Sequence, residues 1–76
     1  MPTLLRKDGF KFFFYANEHL PKHIHVQKGD DFAKINIEDL TIIENYFSSS
    51  ESKRIIAITK EYQQFFLEKW NEFFQG

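Results

Sequence analysis

Cysteine is missing from the chain altogether, which excludes a disulfide frame, a thiolate zinc site and a thiol nucleophile. An excess of one charge is missing too. Ten Lys and Arg stand against eleven Asp and Glu, a formal net charge of −1, so nothing global draws the chain toward nucleic acid or an anionic membrane, and any RNA-binding role must rest on a local patch. No apolar run approaches the length of a membrane span, and the opening "MPTLLRKDG" lacks the apolar core of a secretion signal. The expectation is a cytoplasmic protein with no membrane contact. Linkers and internal repeats are also lacking, and the one low-complexity tract, "SSSES" at Ser48 to Ser52, reads as a helix start.

Aromatic residues, by contrast, are abundant. A chain of 76 residues buries only about 60% of the surface its unfolded form exposes. Ten Phe, three Tyr and one Trp compensate, because each ring removes roughly 150 to 250 Å² from water. One folded domain over residues 1–76 is therefore expected. Its two halves differ in period: from Thr3 to about Ile43 short apolar runs alternate with the turn-rich "KDG", "NEHLPK" and "KGDD", and from Ser48 onward the spacing is helical. The fold class expected is α+β, a four-stranded antiparallel meander over about 3–45 covered on one face by a single long C-terminal helix over about 49–74.

The first hairpin pairs "TLLR" with "FKFFFY" across Lys7, Asp8 and Gly9, where Asp-Gly supplies positive φ. Phe10, Phe12 and Phe14 then point one way, and Lys11, Phe13 and Tyr15 the other. If "KGDD" is the next turn, Val26 faces Ala33, Ile24 faces Ile35, His25 faces Lys34, His23 faces Asn36 and Gln27 faces Phe32. A slip of one residue would exchange the faces. This register predicts Ile24, Val26, Ile35 and Ile37 beneath the helix, with His23, His25, Lys34 and Asn36 gathered on the opposite face. In the helix, Ser48 and Glu51 make a capping box. Ile55, Ile58, Tyr62, Phe66 and Phe73 form the buried stripe, edged by Phe65 and Trp70. Ile56, Leu67 and Phe74 widen it, which fits either an oversized core or a homo-oligomer contact through the helix.

All three histidines fall within seven residues, in "EHLPKHIH". Neighbouring His23 and His25 rings on one strand face sit about 7 Å apart at the Cα level, near enough to share a divalent metal such as zinc with His19 or Glu18 as third ligand. Lys34 beside His25 opposes a metal. The same residues suit acid–base work on a phosphodiester, with Glu18, His19, His23 and His25 as the candidate catalytic groups, Lys34 on a phosphate and Tyr15 or Phe13 stacked on a base. They also suit a plain polar hairpin, in which Asn17 takes a turn geometry and Pro21 holds Leu20 extended.

The order "MPTLLR", "GFKFFFYANEHLPKHIHVQKGD", "AKI" and "LEKWNEFF" resembles the DUF4160 family, a small prokaryotic domain of unknown function whose core reads Phe-Phe-x-Tyr-Ser-Asn-Glu-His-x-Pro-Pro-His-x-His-Val. Its motif falls on Phe13, Phe14, Tyr15, Asn17, Glu18, His19, Pro21, His23, His25 and Val26, with Ala16 in place of Ser and Lys22 in place of the second Pro. The resemblance implies a component of a toxin–antitoxin-like pair with a small protein partner encoded nearby. The function expected is binding of a protein or RNA partner through the His-rich face, with Tyr15, Asn17, His23, His25, Lys34 and Asn36 as contacts. The alternative is a small histidine- or metal-dependent hydrolase or nuclease.

Overall fold

Asp8 and Gly9 turn the chain with φ of 55° and 83° in the computed structural model, which describes residues 3–74. That pair of left-handed residues is what a two-residue hairpin needs to match the twist of its strands. It joins β1 (Thr3–Lys7) to β2 (Phe10–Phe13). After a loop come β3 (His23–Lys28) and β4 (Asp31–Asn36), closed by Gly29 at φ 60°. Every pair of the expected register is observed, from Gln27 opposite Phe32 to His23 opposite Asn36.

Among the described residues the sheet has five strands rather than four. β5 (Ile42–Asn45) extends it in the order β1-β2-β3-β4-β5, every neighbouring pair antiparallel, with Lys34 opposite Glu44. An edge strand needs few buried side chains, and here Ile43, Glu44 and Asn45 are all exposed. The alternation that betrays a half-buried strand is therefore absent from "IIEN".

The helical half is also divided. α1 (Ser49–Glu61) and α2 (Gln63–Phe73) meet at Tyr62, whose φ of −105° and ψ of 17° leave the helical region. Hydrogen bonding runs through the bend, from Tyr62 N–H to the Ile58 carbonyl and from Phe66 N–H to the Tyr62 carbonyl. Just past it, Gln63 Nε2 donates to the carbonyls of Ile37 and Glu38 at 2.7 and 3.1 Å, fastening α2 to the β4–β5 turn. Ser48 Oγ accepts from the Glu51 amide at 3.3 Å. The Glu51 carboxylate lies near the Ser48 hydroxyl and Lys28, so one arm of the expected capping box forms.

The helices cover one sheet face. Phe10, Phe12, Phe14, Ile24, Val26, Ala33, Ile35 and Ile37 meet Ile55, Ile58, Phe66 and Trp70 in a single core. Phe12 stacks on Phe66 at 5.6 Å between centroids, and Phe14 meets Trp70 edge-on at 5.5 Å. Burying each such side chain stabilises the fold by about 1.5–3 kcal/mol. Thr59, unforeseen in the stripe, is fully buried and donates its hydroxyl to the Ile55 carbonyl at 2.7 Å. Phe73 leaves the expected stripe and is exposed, while Ile56, Leu67 and Phe74 pack partly buried against the core of their own chain. No helix among the described residues is long and apolar enough to cross a membrane.

Candidate functional site

Between β2 and β3 the chain loops outward and folds back on itself. The Tyr15 amide donates to Glu18 Oε2 at 3.0 Å, which turns the carboxylate toward the start of β3. There Glu18 Oε1 lies 2.8 Å from His23 Nε2, and Oε2 lies 2.9 Å from His25 Nε2. The three side chains are only 7%, 4% and 15% exposed, respectively. Trp70 of α2 approaches the His23 ring at 5.2 Å, and Tyr15 approaches the His25 ring at 4.5 Å, with Phe13 stacked alongside at 5.5 Å. Alternation alone puts His23 on the open face. As the first residue of β3 it is instead buried, because Trp70 and the returning loop close over the end of the sheet.

Hydrogen positions follow from the partners. His23 Nδ1 is 2.7 Å from the Pro21 carbonyl, which can only accept, so Nδ1 carries a hydrogen. In the neutral ring Nε2 is then a lone pair, and it faces a carboxylate oxygen, another acceptor. A proton or another cation between His23 Nε2 and Glu18 Oε1 makes that contact favourable. His25 Nε2 is buried and forms no hydrogen bond among the described residues, although Glu18 Oε2 lies 2.9 Å away. Burial pushes the Glu18 carboxyl up, but the Tyr15 amide, the His23 hydrogen bond and the two neighbouring imidazoles outweigh it and hold the group below its ordinary value. Burial pushes His25 down, helped by His23 and Lys34 and opposed by Glu18, and the net direction is down.

The remaining nominated residues are placed as follows. His19 and Asn17 are exposed in the loop. His19 lines a cleft of about 580 Å³ with Glu18, Leu20, Lys22, Trp70 and Asn71, and stands outside the three-residue cluster. Glu18, rather than His19, completes the set with His23 and His25, whose ligand atoms lie within 4.8 Å of one another. Lys34 is half-buried, cross-strand from His25 on one side and Glu44 on the other. Asn36 Oδ1 accepts from the amides of Glu38 and Asp39, so its side chain shapes the β4–β5 turn.

Beyond the cluster, the face of the sheet turned away from the helices carries groups that sequence reasoning passed over. Phe32 and Tyr46 lie 4.6 Å apart and are 45% and 60% exposed. A hollow of about 140 Å³ is lined by Phe13, Tyr15, His25, Gln27 and Phe32 among others. It adjoins, at Gln27, a shallow depression of about 240 Å³ whose lining includes Arg6 and Lys11. The register of β3 with β4 already contained Phe32 on the His25 side, whereas Tyr46 could be found only with β5 in hand.

An antiparallel sheet with helices on one face, an aromatic and basic opposite face and a carboxylate between two histidines at the sheet's end defines a small α+β fold whose candidate functional groups gather around β3. The family model for a domain of unknown function, DUF4160, matches residues 9–71, and the chain belongs to that family. Neither comparison with curated proteins nor comparison with solved structures gave a match.

Proposed function

We propose that the domain binds single-stranded RNA across the open face of its sheet, within the toxin–antitoxin-like pairing that the family resemblance implies. One observation carries this reading: exposed Tyr15, Phe32 and Tyr46 share a face with Arg6, Lys11 and Lys34, against Glu44 as the opposing acid among the described strand positions. Rings on an open sheet stack on unpaired bases, and cations beside them hold the phosphates. The local charge thus runs opposite to the net charge of −1. Lys11 Nζ lies 4.8 Å over the Phe13 ring, which keeps a cation beside the aromatic hollow.

A histidine-based nuclease is the second reading, favoured by the convergence of Glu18, His23 and His25 next to an open cleft. The seal over His25 Nε2 weighs against it, because a general base must reach the proton it removes. Titrating the protein into a labelled single-stranded RNA and following anisotropy tests the binding reading, with log affinity expected to fall against log salt by roughly 0.7 per phosphate neutralised. No anisotropy change, or equal affinity for duplex DNA, contradicts it. Shortening of the RNA on a gel of the same samples transfers support to the nuclease.

A further inference from the structure

We propose that Glu18, His23 and His25 form a zinc site, with the ion held by the Glu18 carboxylate and the Nε2 atoms of both histidines. Two neutral imidazoles and one carboxylate are a donor set that zinc takes with a fourth position left open. Their ligand atoms already lie within 4.8 Å of one another. Zinc bonds of about 2.0–2.2 Å put tetrahedral ligands roughly 3.3 Å apart, so the set has to draw together on binding.

Three features fit the cluster to a cation. His23 Nδ1–H is committed to the Pro21 carbonyl at 2.7 Å, the outer contact that fixes the tautomer of a metal-bound histidine and aims the Nε2 lone pair. In the neutral ring Nε2 and the carboxylate oxygen 2.8 Å away are both acceptors, so a bound ion would bridge them as a proton otherwise does. His25 Nε2 is buried without a hydrogen-bond partner among the described residues and lies 2.9 Å from the other carboxylate oxygen, so it stands beside the same oxygen pair as a further donor to an ion. Lys34, cross-strand from His25, opposes a second cation, but its other cross-strand neighbour is Glu44. Zinc bound here would fasten the loop of Tyr15 and Glu18 to β3, fixing the Tyr15 ring against His25 at the edge of the open face.

The test uses the full chain stripped with chelator and then given zinc chloride, with no RNA present, so that its outcome and that of the RNA reading are separate. Calorimetry is expected to show one zinc per chain, and the melting temperature should rise by roughly 10–20 °C at a hundredfold excess over Kd. Cobalt(II), which unlike zinc absorbs visible light, should give a tetrahedral d–d band. His25→Ala should abolish uptake and the band, and His19→Ala should retain both. Should His25→Ala not fold, Glu18→Gln, which keeps an acceptor for the Tyr15 amide, is expected to weaken zinc binding tenfold or more. Absence of stoichiometric uptake by the wild type overturns the proposal, as does undiminished uptake by Glu18→Gln or by a folded His25→Ala, which would place the ion elsewhere.

Discussion

The two faces of the sheet are built from the same strands by alternate residues, and they differ sharply in chemistry. Toward the helices, Phe12, Ile24, Val26, Ala33 and Ile35 are fully buried, and a hydrocarbon core results. Toward the opposite side, Lys11, Phe13, His25, Phe32 and Lys34 mix rings with charges, and among them only Phe13 is buried. Stability is concentrated on one face, which leaves the other free to carry aromatic groups that a core would otherwise claim. The Glu18 cluster sits where the faces meet, and its burial makes it part of the fold as well as of the site.

The sharpest way to break this contrast is to cut the helix side. Phe66→Ala or Trp70→Ala should cost about 3–5 kcal/mol in urea denaturation, because both rings fill the core against Phe12 and Phe14. A cost below about 1 kcal/mol for both would mean that the helices do not close the core. At the junction, Glu18→Ala in chelator should cost about 1–3 kcal/mol, since it strips the buried partner from His23 and the acceptor from the Tyr15 amide. On the open face, Lys11→Ala and Lys34→Ala should leave the urea midpoint nearly unchanged while each lowers the salt slope of RNA binding by about 0.7. An unaltered slope would remove these lysines from the interface. The smallest effect belongs to His19→Ala, which should shift stability by no more than about 0.5 kcal/mol, as for an exposed residue outside the cluster.

Much of the molecule could be read from its residues because period and turn chemistry act locally. Asp8-Gly9 and Gly29 fix two hairpins, and with them every β3–β4 pair, so the burial of Ile24, Val26, Ile35 and Ile37 followed from alternation alone. What could not be read depends on distant partners. β5 gains its strand character from pairing with β4, not from its own pattern. The bend at Tyr62 contains neither proline nor glycine, and the nearest tie is Gln63 reaching carbonyls some 25 residues back. His23 went to the wrong environment for the same reason: strand alternation says nothing about Trp70 arriving from α2. The chemistry of Glu18 with the two strand histidines was visible as a cluster of types, but choosing Glu18 over His19 required the loop to be folded.

One paired measurement bears most directly on the division of labour between the faces: the RNA affinity and the urea midpoint of Phe32→Ala/Tyr46→Ala, compared with wild type. Both rings are exposed and lean on each other rather than on the core. The midpoint should therefore move little, while affinity for single-stranded RNA should fall tenfold or more, from about 1–3 kcal/mol per lost stacking platform. Affinity equal to that of the wild type in the folded double variant would contradict the account.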